Sequence, residues 1–205
     1  MKITLIDAGK RFNRDWIFRH LNYEFNTGHS YAITGPNGSG KSTLLQVIGG
    51  AVGPSEGTVK YEKGGCDIPP ENVYKYISLA APYLELIEEM TLAEFLDFHS
   101  AFKPFLPGLK SRSIISSLSL GKAADKQIRY YSSGMKQRVK LAQSIFSDTP
   151  IVLLDEPCTN LDEEGIALYQ RLIKDYCTDR LVIVSSNDRQ EYEFCTEKIS
   201  IADYK

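Results

Sequence analysis

The nine residues "GPNGSGKST" (Gly35–Thr43) decide how this chain is read. They match the pattern G-x-x-x-x-G-K-[ST]. The strand-like run "SYAIT" (residues 30–34) leads into them, and the helix-like run "KSTLLQVIGG" (residues 41–50) leads out to a stop at Gly49 and Gly50. Gly35, Gly38 and Gly40, with Pro36, Asn37 and Ser39 between them, let backbone N–H groups converge on phosphate oxygens. The N-terminus of the following helix adds positive potential. Lys41 is expected to reach the β- and γ-phosphates and Ser42 to hold Mg²⁺, with Thr43 closing the motif.

Outward from this loop, the chain sorts into strands and helices. "KITLID" (residues 2–7) and "LNYEF" (21–25) alternate as half-buried strands do, and "EGTVKYEKGG" (56–65) and "YKYISLAAP" (74–82) also read as strands. The character changes after Pro82. Thr91 followed by Glu94 is a capping-box pattern ahead of the helix "TLAEFLDFHSAF" (91–102). "KPFLPGLKS" (103–111) is a loop, whereas "SIISSLSL" (113–120) and residues 134–146 are helical. "IVLLDEP" (151–157) and "LVIVSSND" (181–188) are continuous apolar runs ending in polar residues, with a helix over 163–177 between them. Such runs indicate a buried parallel sheet with ligands at its carboxyl end.

Asp155 and Glu156 stand at that end of their strand. Asp155 fits the Mg²⁺-holding carboxylate that accompanies a phosphate loop, and Glu156 is placed to orient or deprotonate a water attacking the γ-phosphate. A second anion site is written at "YYSSGMKQRVKLAQSIF" (130–146), a small-residue turn opening a basic amphipathic helix with the apolar stripe Met135, Val139, Ala142 and Phe146. Lys136, Arg138 and Lys140 read as a solvated helix face rather than a nucleic-acid surface.

Composition narrows the classes. The chain has 205 residues, 42% hydrophobic and 24% charged, with a formal net charge of -2, which implies no bulk attraction to nucleic acid or anionic lipid. Cys66, Cys158, Cys177 and Cys195 are too scattered for a zinc site or a disulfide framework and suit a reducing cytosol. "MKITLIDAGKRF" lacks the apolar core of a secretory leader, and no run approaches the roughly 20 apolar residues of a membrane span. His20, His29 and His99 lie outside every motif and are expected to be surface or satisfied core residues.

The order of phosphate loop, helical insert ending in "YSSGMKQRVKLA", and "IVLLDEPCTNLD" resembles the ATP-binding-cassette ATPases over essentially the whole chain. The resemblance implies an α/β fold: a P-loop NTPase core with a mixed/parallel sheet, an antiparallel β subdomain and an inserted helical subdomain. It implies a single domain over 1–205, with a nucleotide-binding core at about 1–83 and 148–205 and a helical subdomain at about 84–147. ATP and Mg²⁺ are the implied ligands.

In that family a signature turn closes over the ATP of the other subunit. "YSSGM" (residues 131–135) occupies its place, so Ser132 and Gly134 are expected at a partner's γ-phosphate, in a head-to-tail homodimer or heterodimer. "TNLD" (159–162) looks like the loop that crosses the dimer interface. Phe12 looks like the aromatic that stacks on adenine, with Trp16 as its rival and packing beneath a strand open to either.

Two family residues are replaced. Asn187 stands where a histidine is usual; it can hydrogen-bond a γ-phosphate oxygen but cannot carry positive charge. Pro82, or Ala81, stands where a glutamine is usual. ATP binding is therefore expected with slow hydrolysis.

The implied role is the ATP-binding subunit of a transporter, cytoplasmic and peripheral, held to the membrane by a separate permease that docks near residues 83–102. The alternatives are a soluble ATPase of the same superfamily or a weakly hydrolysing nucleotide-gated regulatory module. A phosphoryl-transfer kinase has no need of "YSSGM" before the carboxylate strand.

Overall fold

The computed structural model describes residues 1–205. The chain folds as two compact units. The first holds residues 1–77, 149–156 and 179–205, and the second residues 78–148 and 157–178.

In the first unit, β1 (Lys2–Phe12) and β2 (Asp15–Asn26) form a long antiparallel pair, joined on the other side of β1 by β4 (Glu56–Lys63) and then by the two-residue β5 (Cys66–Asp67). The strand β2 begins six residues earlier than "LNYEF" predicts. Cross-strand pairing such as Lys10 with Phe18 and Arg11 with Trp16 overrides the weaker local pattern there.

A parallel sheet sits in the same unit. It contains β3 (Ser30–Thr34), β7 (Ile151–Asp155), β8 (Leu181–Ser185) and β9 (Glu197–Ser200), in the spatial order β7-β8-β3-β9. Every residue of β7 and β8 is buried, which is why their sequences run continuously apolar instead of alternating. Helix α1 (Lys41–Ile48) packs on this sheet through Leu44, Leu45, Val47 and Ile48. Each of those side chains contributes about 1.5–3 kcal/mol by leaving water. Gly50, at φ 70°, ends the helix as its position predicts.

The second unit is helical: α2 (Leu92–Phe102), α3 (Ser111–Ser117), α4 (Ser133–Ile145) and α5 (Glu163–Tyr176). The capping box forms, with Glu94 N–H donating to Thr91 Oγ1 at 3.3 Å and Thr91 N–H to Glu94 Oε2 at 2.8 Å. Helices α4 and α5 pack together, and Phe146 meets Tyr176 edge to face at 4.8 Å between ring centroids.

Three features depart from the pattern read in the sequence. Residues 70–76 form a 3-10 helix opened by Pro70, so the strand expected over 74–82 is only β6 (Ile77–Ala80). The helix α5, expected with the core, belongs to the helical unit. The short β9 and α6 (Arg189–Tyr192) carry too few periodic residues to be seen in the sequence. No helix is long and apolar enough to cross a membrane.

Candidate nucleotide-binding site

β3 delivers the chain into the loop at residues 35–40, and α1 takes it away at Lys41. Two glycines are sterically required. At Gly40, φ is 104° and an added Cβ would lie 2.1 Å from Ile17 Cγ2. At Gly35, φ is 149° and a Cβ would meet Ile201 Cγ2 at 2.7 Å and Ser39 Oγ at 2.8 Å. With glycine as the cap of α1, no side chain satisfies the helix N-terminus. The first-turn N–H groups have no partner within the helix and remain available to an anion.

Lys41 is buried, with Nζ donating to Gly35 O at 2.9 Å and to Pro36 O at 3.4 Å. Its ammonium thus arches over its own loop, where phosphate oxygens would be met. Ser42 and Thr43 follow on the first turn, both half-buried.

Asp155 ends β7 at 2% exposure, and its Oδ1 is buried with no hydrogen-bond partner. A solvent-excluded carboxylate oxygen without a donor is costly unless something outside the chain completes it. A divalent cation would do so, and the hydroxyl of Ser42 with the carboxylate of Asp155 is a hard-oxygen set of the kind that suits Mg²⁺. Glu156 follows in a left-handed conformation (φ 42°) unusual for a glutamate, with its N–H donating to Ser185 O at 2.9 Å. The backbone of this residue is therefore locked to β8 while its half-buried side chain stays uncommitted to the sheet.

Asn187, expected at a γ-phosphate oxygen, lies just beyond β8, and its carboxamide grips the loop: Oδ1 accepts from Gly35 N–H at 3.3 Å, and Nδ2 donates to Asn37 Oδ1 at 3.0 Å. This tie had no signal in the sequence, because 150 residues separate Asn37 from Asn187.

Phe12 lies at the end of β1 and is 49% exposed, with Lys10 Nζ 5.1 Å from its ring centroid. Trp16 has both Arg11 and Arg19 over its ring, at 5.6 and 4.4 Å from the centroid. Of the two aromatics, Phe12 has the freer face.

In the helical unit, Ser132 caps α4 by accepting from Met135 N–H at 3.3 Å. Tyr131 is buried, and its hydroxyl donates to Ala123 O at 2.7 Å. Gly134 is also required, since a Cβ there would stand 2.9 Å from Asn160 O. Ser132, Ser133, Gly134 and Asn160 line one cleft of about 550 Å³.

The basic residues of α4 differ from the solvated face expected of them. Lys136 pairs with Glu88 at 2.6 Å, Arg138 with Asp162 at 3.4 Å, and Lys140 donates to Pro82 O at 2.7 Å. All three are half-buried ties within the unit. Gln137, missed in the sequence, is 3% exposed and donates to Pro157 O at 2.7 Å. Of the histidines, His20 faces Asp7 and His29 faces Glu197 at the surface, and His99 is half-buried against the rings of Phe95 and Phe105.

Residues 18–159 match the family model described as ABC transporter. The cytochrome c biogenesis ATP-binding export protein CcmA of Agrobacterium fabrum is 30% identical over 181 residues, which cover 86% of this chain and 84% of that protein. An uncharacterized ABC transporter ATP-binding protein of Bacillus subtilis, YybJ, is 29% identical over 197 residues, covering 92% and 87%. Among solved structures, a putative ABC transporter ATP-binding protein of Pyrococcus furiosus superposes with a TM-score of 0.83 at 21% identity, over 100% of both chains. The cassette MJ0796, a dimer in a post-hydrolysis state bound to ADP and Pi, gives 0.82 at 22% identity, over 97% of this chain and 93% of its own.

Proposed function

The chain belongs to the ABC transporter family as one of its ATP-binding, ATP-hydrolysing cassettes, and from that premise we propose how its residues divide the work. The phosphates of ATP lie along residues 35–43, held by loop N–H groups and by Lys41, and Phe12 stacks on the adenine. Ser42 and Asp155 would hold Mg²⁺, which would supply positive charge to neutralise the phosphates. Glu156 orients the attacking water and accepts its proton. The observation that carries this reading is the buried Asp155 oxygen left without a donor in the unit that holds the phosphate loop.

Two cassettes, identical or different, work head to tail. Ser132 and Gly134 of each meet the γ-phosphate of the ATP held by the other. A separate membrane permease binds the helical unit, where Tyr83, Ile87, Phe98 and Phe102 are exposed, and keeps the cassette at the cytoplasmic face. CcmA, an export protein by name, supports a transport role. The internal ties of Lys136, Arg138 and Lys140 leave that helix little free charge for nucleic acid.

Hydrolysis is slow in this reading, because Asn187 cannot share a proton or a positive charge with the γ-phosphate. The same substitution favours the second reading, a nucleotide-gated regulatory module.

Steady-state ATPase assays with Mg²⁺ test the division of roles. The wild type should turn over measurably, and Glu156→Gln should lose about 10²–10⁴-fold in rate while retaining ATP affinity. Equal turnover in the two proteins would remove Glu156 from its role. Gentle solubilisation and co-purification of a polytopic membrane protein would separate the transporter from the regulatory module.

A further inference from the structure

We propose that Asn187 is a positioning residue that clamps the first half of the phosphate loop and so sets affinity for any nucleotide with α- and β-phosphates, ADP as much as ATP. This rests on the reading of residues 35–43 as a nucleotide site.

The geometry is specific. A backbone N–H can only donate, so the 3.3 Å contact to Gly35 N–H fixes Oδ1 of Asn187 as the acceptor and leaves Nδ2 as a donor. That donor meets Asn37 Oδ1 at 3.0 Å. Both atoms of one rigid carboxamide are thus spent on a main-chain group and a side chain two residues apart. The anchor is firm, because Asn187 follows directly on fully buried β8 and Ser186, and Ser186 N–H donates to Ile33 O at 3.1 Å in β3. The clamp therefore ties the loop to the end of the neighbouring strand.

Besides the turn bond from Ser39 N–H to Pro36 O at 3.0 Å, the other polar hold on this half is the Lys41 ammonium on the carbonyls of Gly35 and Pro36. An ammonium has three N–H donors. Phosphate oxygens that draw donors from Lys41 take them from those carbonyls, so the lysine tie weakens as nucleotide binds. The Asn187 tie involves no group that phosphate competes for by charge, and it keeps Gly35 to Asn37 in place when Lys41 turns away.

The distinguishing probe is ADP, which has no γ-phosphate. Affinities for ATP and ADP are measured by calorimetry on the full chain, for wild type, Asn187→Ala, Asn37→Ala and the double variant, with thermal melts to confirm folding. Asn187 and Asn37 are both exposed, so neither substitution opens the core.

The clamp predicts that Asn187→Ala weakens both nucleotides by the same factor, roughly 3- to 10-fold. It also predicts that adding Asn37→Ala costs less than the product of the single effects, as coupled partners do. If Asn187→Ala leaves ADP affinity unchanged and lowers only ATP affinity or turnover, Asn187 is a γ-phosphate contact and the clamp is wrong. If the two substitutions multiply, the Asn37 half of the clamp is wrong. A wild-type chain that binds neither nucleotide would overturn the site itself, which the other outcomes leave standing.

Discussion

Helices α1 and α4 both begin with small residues, and both N-termini read in sequence as places for an anion. They are built in opposite ways. Gly40 caps α1 without a side-chain bond, so its first-turn amides stay open, and Lys41 supplies a cation from the helix itself. Ser132 caps α4 with its own hydroxyl, and the cations of α4 are drawn off to Glu88, Asp162 and Pro82. In the proposed reading the first terminus is a phosphate site on its own chain. The second is a helix end capped at one N–H by its own serine, whose remaining N–H groups and glycine surface suit a group already held elsewhere.

Removing the cation is the harshest test of that contrast. Lys41→Ala deletes charge-assisted hydrogen bonds worth about 1.5–3 kcal/mol each, so ATP affinity should fall by roughly 100-fold or more. Substitution of Lys136, the first lysine of α4, should leave monomer affinity for ATP unaltered by the same calorimetric measurement. If Lys136→Ala matched the effect of Lys41→Ala, the two termini would not differ as described.

The glycines sharpen the contrast through shape. Gly40→Ala imposes a left-handed conformation on a residue with a Cβ, at about 1–2 kcal/mol, and drives that Cβ into Ile17, at about 1–3 kcal/mol more. The melting temperature and nucleotide affinity should fall together, and Ile17→Ala should return part of the stability. Gly134→Ala also collides, but with the Asn160 carbonyl. It should lower cooperative turnover of the assembled cassette and spare ATP binding by the isolated chain.

How far each terminus could be read from sequence follows from the same chemistry. The loop before α1 is local: Gly35, Gly40 and Lys41 act within six residues, so spacing alone displays them. Asp155 and Glu156 were legible because a buried parallel strand announces its carboxyl end. The Asn187–Asn37 tie and the buried Gln137 were not legible, since they depend on partners 150 and 20 residues away. The basic residues of α4 were misread as solvated because a charge pattern records the helix face but not the acids that the fold brings to it. The 3-10 turn at 70–76 was misread because Tyr74 and Tyr76 favour strands locally, whereas Pro70 opens a helical turn.

A smaller effect belongs to the Ser132 hydroxyl. Ser132→Ala removes the cap of α4 and should cost about 1 kcal/mol of stability. Calorimetry should find ATP binding to the separate chain unchanged, whereas turnover that requires a second cassette should drop. Weaker ATP binding by the separate chain would place Ser132 in its own nucleotide site and erase the distinction between the two termini.

The smallest expected effect concerns pH, and it too divides the helical unit from the loop. His99 stacks between Phe95 and Phe105 and meets Ser147 Oγ at 2.9 Å, just past the end of α4. The Ser147 hydroxyl donates to Gln143 O, so it accepts from His99, which fixes the neutral ring with its proton on Nε2. Burial, followed by the nearby Lys103 charge, holds the His99 pKa below its ordinary 6.5. The unfolded chain therefore binds this proton more readily than the folded one, and stability should decline as pH falls below 6.5 and level off once folded His99 is itself protonated. The melting temperature of the wild type should show this slope, and His99→Phe, which keeps the aromatic stack and cannot titrate, should flatten it. The loop is held by Lys41 and Asn187 and not by His99, so nucleotide affinity at the loop should not follow the slope. An ATP affinity that fell in step with the wild-type slope and recovered in His99→Phe would mean that the end of α4 reports to the phosphate loop.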